Sequence, residues 1–465
     1  MFKKEVYIER RNNLRKSLGT GIALFLGNVD AAFNYPANQY HFRQDSSFLY
    51  FFGLDKPGFA GVIDADQGKD YIFGNDVDMD DIIWMGEQPS VKDLAAEAGI
   101  DNTAPYGSLA GFIAAAVEKG RKIHFLPPYR GETYIELSQL LGIPVKELNS
   151  SVSVDLIKAV VALREIKDEY EIAEIEKAIE IAYEMHTTSM RMAMPGVVEQ
   201  KIAGTIEGIS LALGGPVSFP IILSVNGQTL HNHYHGNVLE TGRMMVTDAG
   251  AETGMHYASD ITRTVPVGGK FNGRQAEIYQ IVLDANVNAI NAIKPGVKYR
   301  DIHFLAARTI VDGLKSAGLM KGDTGDAVAA GAHTLFMPHG LGHMMGLDVH
   351  DMEGLGEDFV GYDDSVKRST QFGTAYLRLA KALKPGFVLT VEPGIYFIPA
   401  LIDKFAKEGK FKDFVNYDKL EGYKDFGGVR IEDDILVTAS GFRVLGKPIP
   451  KTIAEVEETM SNPLV

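Results

Sequence analysis

Twice in this chain a helical pattern stops at the same three residues and a second helical pattern begins. Residues 167–194 carry Ile172, Ile175, Ala178, Ile179 and Ala182 at three- and four-residue spacing, the period of a helix with one buried face, and stop at Pro195-Gly196-Val197. Residues 274–294 stop at Pro295-Gly296-Val297. Apolar, strand-like runs follow each pair: 219–225, 244–248 and 261–267 after the first, 387–392 and 429–437 after the second. The echo predicts two similar halves, each a helix pair laid on a sheet. Pro-Gly is also a common helix terminator, so the echo taken alone equally fits coincidence.

The 465 residues are enough for two or three domains. The first 150 or so read as a separate α/β unit. Residues 6–18 form a polar helix and Ile22–Leu26 a buried strand. Runs 48–52, 60–63 and 71–73 are aromatic or β-branched and read as strands, the last two joined by a turn at 64–68. Run 122–126 is a strand stopped by Pro127-Pro128, and 153–163 is a helix. No Gly/Ser-rich linker marks the boundary, which we place at 165, giving units 1–165 and 166–465 and an α+β class overall.

A net charge of −15 argues against nucleic acid as the main partner. With no cysteine, disulfides, thiolate metal sites and a cysteine nucleophile are excluded. The N-terminus MFKKEVYIERRNNLRK has no apolar stretch of a secretory signal, and no apolar run is long enough to span a membrane. A cytoplasmic location is the expectation. The GxxxxGK[ST] and GxSxG patterns of phosphate-binding loops and serine hydrolases are missing.

The chemistry-bearing residues are acids and histidines. Asp248 ends one apolar run and Asp260 begins the next, twelve residues on, a spacing suited to a hairpin that brings them together. Glu392 ends a third run before Pro393-Gly394, and Glu432 lies inside a fourth. Charged residues on apolar strands are rarely buried unless paired or metal-bound. Six of the twelve histidines fall in two short stretches, His231, His233 and His235, then His339, His343 and His350. His339 and His343 are four apart, but two intervening glycines disfavour a helix, so the segment is expected to be extended or turning with one of the two histidines ligating. Four carboxylates and an imidazole balance two divalent cations, and an oxygen-rich set suits Mn²⁺ foremost, with Zn²⁺, Co²⁺ and Fe²⁺ also compatible.

Five motifs in order, VTDAGAE, ASDITRTVPV, MPHGLGHMMGLDVHD, LTVEPGIYF and GGVRIEDDI, resemble the metal-site motifs of the pita-bread metallopeptidases, the family of methionine aminopeptidase, aminopeptidase P and prolidase. The stretch HFRQDSSFLYFFGLDKPGFAGVIDAD resembles the N-terminal domain of the proline-specific branch, which methionine aminopeptidases lack. The resemblance implies a creatinase-like N-terminal α/β domain and a catalytic domain of duplicated αβ halves around a curved antiparallel sheet. It implies that Asp248 chelates one metal and His343 the other, that Asp260 and Glu432 bridge them, and that Glu392 binds metal and takes the proton of the attacking water. His231, with His233 as the alternative, would stabilise the leaving proline. His350 would hydrogen-bond the scissile carbonyl or its oxyanion, Arg430 would fix a ligand, and His339 would lie in the substrate pocket.

The same resemblance implies hydrolysis of the bond before proline, a tertiary amide without an N–H. Arg378 stands where eukaryotic-type prolidases hold the proline carboxylate, and the insert 397–426 also resembles prolidase, so the reading leans to an Xaa-Pro dipeptidase, with aminopeptidase P acting on longer peptides as the alternative. A metal-free creatinase-like hydrolase or a non-catalytic binding protein would have no need of all five ligands. Relatives are often dimers, so a homodimer or a dimer of dimers is expected.

Overall fold

The computed structural model describes residues 1–464. They form two compact units, one of residues 1–164 with 353–359, the other of 165–352 with 360–464.

In the first unit a mixed sheet is built from β1 (Ile22–Leu26), β4 (Ala60–Asp64), β5 (Lys69–Phe73), β6 (Asn102–Ala104) and β7 (Ile123–His124), in the order β6-β5-β4-β1-β7. β4 and β5 are the hairpin read from sequence, while β2 (Ala32–Tyr35) and β3 (Asn38–Gln39) form a separate small hairpin. Helix α1 (Lys4–Leu18) buries Arg11, whose Nε donates to Asp70 Oδ2 at 2.8 Å. The run expected as a strand at 48–52 is a helix, α2 (Ser46–Phe52). Asp45 caps it by accepting from Phe48 N, and Gly53 ends it at φ 68°. Every residue of α2 is buried, so its apolar pattern is continuous and shows no helical period; the caps, not the aromatic run, decided the conformation.

The second unit realises the echo. Helices α3 (Glu169–Met192) and α4 (Glu199–Leu213) pack on each other, as do α5 (Gly273–Asn291) and α6 (Tyr299–Ser316). At both junctions the glycine takes a positive φ, 88° at Gly196 and 83° at Gly296, where a side chain would be strained. Gly196 N donates to Leu239 O and Gly296 N to Leu383 O, each at 2.8 Å. Val198 then bridges Val238 as Lys298 bridges Ala382.

Antiparallel strands follow each pair. The first half gives β8 (Ile222–Ser224), β9 (Met244–Ala249) and β10 (Ile261–Pro266), in the order β10-β9-β8. The second gives β11 (Val388–Val391), β12 (Gly394–Tyr396), β13 (Gly428–Arg430), β14 (Asp433–Val437) and β15 (Phe442–Val444), with β11-β14-β15 in one sheet and β12-β13 in another. The run 429–437, read as one strand, is thus two. Pro393 has no N–H to continue the ladder, so β11 and β12 part there and their partners β13 and β14 part at Ile431 and Glu432. Asn286 of α5, fully buried, closes the double break by donating to Val391 O and Ile431 O.

Arg263 of β10 ties the halves together. It is 1% exposed, and its guanidinium donates to the carbonyls of Thr262, Glu432, Ile449 and Pro450 and to Asp433 Oδ1. Among the described residues no helix is long and apolar enough to cross a membrane. Arg263→Leu leaves Asp433 with Lys451 as its one cation and takes a donor from four carbonyls at the junction, and is expected to lower unfolding free energy by about 3–5 kcal/mol, measured as a fall in the urea midpoint with an unchanged slope.

Candidate active site

The β9–β10 hairpin sets Asp248 opposite Thr262, and Asp260 immediately precedes β10, so both acids lie at the same end of the pair. The two halves fix each other's acids. Asp260 N donates to Asp434 Oδ2 at 3.0 Å, and Glu432 N donates to Thr262 O at 3.1 Å. Glu392 directly follows β11, where its N donates to Leu341 O at 2.8 Å.

His339–His343 is not helical. It runs beside β11, with His343 N donating to Thr390 Oγ1 and Thr390 N to His343 O. Gly342 permits this approach: a Cβ there would meet Thr390 O at 2.1 Å. His343 Nδ1 faces Met344 O at 3.0 Å and must donate to it, so Nε2 presents its lone pair to the acids. That atom is 3.3 Å from Asp260 Oδ2 and 3.7 Å from Glu392 Oε1.

Asp260, His343 and Glu432 offer ligand atoms all within 4.8 Å of one another. Asp248 sits beside them with two unlike oxygens. Oδ2 accepts from Arg430 Nη2 at 2.6 Å, while Oδ1 is buried with no hydrogen-bond partner. Arg430 also donates to Tyr396 OH and Thr262 Oγ1, and Thr262 donates onward to Glu432 Oε2 at 2.7 Å. His339 gives Nδ1–H to Gly340 O and takes a hydrogen bond at Nε2 from Tyr396 OH, so both its nitrogens are engaged within the protein. Asp248, Asp260, Glu392 and Glu432, with His231, His233, His339, His343, His350, Arg378 and Arg430, line one cavity of about 320 Å³. His235 does not line it; His231 and His233 are at an exposed rim. The His350 ring lies 4.1 Å from that of His343, centroid to centroid.

Burial, then the negative charge of Glu432 and Asp248, holds the Asp260 carboxyl well above the usual range. Burial and Glu392 do the same to Glu432. Glu392 is pushed up to about 7 by burial, against the opposing pull of Arg430. His343 is driven well below its ordinary value, by burial and then by His350, which keeps it neutral. Crowded acids that resist ionising, an orphaned buried carboxylate oxygen and an imidazole lone pair aimed at them fit divalent cations.

Residues 173–439 match metallopeptidase family M24, and residues 7–124 match the N-terminal domain of aminopeptidase P. The chain belongs to family M24. The human Xaa-Pro dipeptidase is 33% identical over 434 residues, which cover 90% of this chain and 85% of that protein. A probable Xaa-Pro aminopeptidase of Uncinocarpus reesii is 32% identical over 438 residues, 90% and 86% of the two chains. Zn-substituted Escherichia coli aminopeptidase P in complex with product superposes with a TM-score of 0.81 at 27% identity, covering 99% of both chains. The Pseudomonas aeruginosa aminopeptidase PepP gives 0.82 at 26%. These matches span both units, and the two-domain pita-bread architecture expected from the motifs is the one found. Membership of metallopeptidase family M24 implies divalent metal, and Asp260, His343 and Glu432 form a candidate site for it.

Sequence reasoning passed over Thr262, Tyr396 and Asp434. Thr262 was within reach of it, since it lies two residues after Asp260 on the same strand face. Tyr396 and Asp434 carry no local signal.

Raised carboxyls have a consequence for stability. Glu392 stabilises the metal-free fold fully below its ordinary value of 4.5, and that contribution is lost as pH rises through about 7; Asp260 and Glu432 extend the loss to higher pH. Metal-free protein is therefore expected to melt lower at pH 8 than at pH 5.5, and added Mn²⁺ to raise Tm more at pH 8. Asp260→Asn removes one repelling charge; in calorimetry its metal-free Tm is expected to rise and most of the metal-induced increment to vanish.

Proposed function

We propose that this M24 enzyme hydrolyses the bond between an N-terminal residue and proline, with Xaa-Pro dipeptides as its preferred substrates. The observation that carries the reading is Arg378, which lines the same small cavity as the acid–histidine cluster. A guanidinium there can pair in two-pronged fashion with the free carboxylate of a C-terminal proline, which a longer peptide does not present. The apolar lining from Phe219, Pro220, Ile222 and Val349 suits the proline ring. The insert 397–426, where Phe397 packs on Tyr423 and Phe426, adds to the likeness to dipeptidases.

We assign Asp248, Asp260, His343, Glu392 and Glu432 to two divalent ions, Mn²⁺ foremost, in a cytoplasmic homodimer. When bound, such ions polarise a carbonyl and make water acidic near neutral pH. Glu392 accepts the proton of the attacking water at its carboxylate, and Arg430 keeps Asp248 oriented. His350 donates to the carbonyl oxygen as negative charge develops there, a contribution of roughly 3–4 kcal/mol for one such donor. His231 donates to the departing proline nitrogen; burial, then Arg430, lowers its affinity for a proton, which makes it a ready donor once protonated. His233 takes that part if His231 does not. His339, held by Tyr396, shapes the pocket wall.

The second reading, an aminopeptidase acting on longer Xaa-Pro peptides, is favoured by the aminopeptidase P structures that cover 99% of this chain. Mn²⁺-loaded protein given Ala-Pro and an Xaa-Pro-Pro peptide separates the two. Cleavage of the dipeptide alone supports the first, and efficient trimming of the longer peptide the second. Arg378→Ala is expected to raise KM for Ala-Pro roughly 10- to 150-fold, the loss of a charged hydrogen-bond pair, with little effect on the longer peptide. Glu392→Gln is expected to lower kcat by about 10²-fold or more in steady-state assays of either substrate.

A further inference from the structure

Residues 344–352 contain no helix or strand, yet they carry His350 back over His343. Backbone hydrogen bonds tie the loop to its surroundings. Met345 N donates to Val388 O, Gly346 N to Asp348 O, Asp351 N to Met344 O, and Ala258 N to Gly346 O. One further anchor is of a different kind. Lys167 Nζ donates to Asp351 Oδ2 at 2.7 Å, with both side chains 1% exposed and 184 residues apart in sequence. Asp351 Oδ1 meanwhile accepts from Asp348 N, closing the turn around His350.

Lys167 is itself fixed. Its backbone N donates to Gly386 O, and Asp168 next to it caps α3. Glu171 in the first turn of α3 accepts from Tyr257 OH, at the tip of the β9–β10 hairpin. Gly346 lies against the pair; a Cβ there would meet Asp351 Oδ2 and Lys167 Cε, each at 2.8 Å. A fully buried ion pair is costly to desolvate and is weak evidence for stability, so its value lies in fixing geometry.

We propose that the Lys167–Asp351 pair is the positioning device of the catalytic loop, holding His350 at the height where its ring meets the substrate carbonyl. Lys167 and Asp351 are positioning residues: neither lines the cavity, and both act through His350. The proposal rests on the part given to His350 above.

The test uses the full-length, metal-loaded enzyme. Lys167→Met is expected to lower kcat on the preferred Xaa-Pro peptide about tenfold or more, with KM within about twofold and metal content unchanged. In a His350→Ala background the same change is expected to move kcat less than twofold. An equal loss in both backgrounds overturns the proposal while leaving His350 its part; a His350→Ala enzyme with undiminished kcat overturns both. Because a lone buried Asp351 can impair folding, the neutral pair K167M/D351N serves as the second variant. Its amides at 345–351 are expected to exchange faster with solvent deuterium than in the parent, with β9 to β11 unchanged, a readout independent of peptide cleavage. Unaltered exchange in this loop, or unaltered kcat in a folded variant, overturns the proposal.

Discussion

Four carboxylates converge in the interior of this protein, and everything around them answers the repulsion that results. Arg430 answers part of it, giving Nη2 to Asp248 and drawing the Glu392 carboxyl back down against its burial. One guanidinium cannot neutralise four acids. Asp260 and Glu432 stay far above the ordinary carboxyl range, and one oxygen of Asp248 has no partner. Cations held among these acids would relieve the repulsion, so metal binding is expected to add to the stability of the fold.

The scaffold's contribution is to make the crowding rigid. Each half supplies acids that the other half holds: Asp434 fixes the backbone of Asp260, and Thr262 fixes both backbone and side chain of Glu432. Arg263 threads between the halves and satisfies buried carbonyls at the junction. The interrupted second sheet has the same logic. By parting at Pro393 and Glu432, it frees Glu392 and Glu432 from ladder positions and turns them toward the cavity, while Asn286 covers the carbonyls exposed by the break.

Much of this was legible in the residues, for a definite reason. An acid at the end of an apolar strand is conspicuous, and the twelve residues between Asp248 and Asp260 allow few arrangements but a hairpin. The helix–Pro-Gly-Val–helix echo likewise became a structural repeat, down to matching hydrogen bonds at Gly196 and Gly296. What escaped notice was of two sorts. The segment 48–52 was misread because a helix buried on all sides has no polar face to betray its period. Tyr396, Asn286 and the Lys167–Asp351 pair escaped because their importance lies in partners distant in sequence, and a lone Tyr, Asn or Lys looks like any other.

The near-equality of the two kinds of relative, 33% identity to a dipeptidase and 32% to a probable aminopeptidase, has a physical source in this arrangement. In the roles proposed above, cleavage depends on the acid cluster, its arginine and the loop with His350, which draw on both halves of the second unit and their long-range contacts. On the same reading, substrate length depends on a few residues lining a cavity of about 320 Å³, Arg378 and the exposed Tyr376 among them. Overall identity averages over hundreds of positions that serve the first requirement and is nearly blind to the second. If Arg378 holds the substrate carboxylate as proposed, that one guanidinium bears more on the choice between the two activities than one per cent of the sequence does.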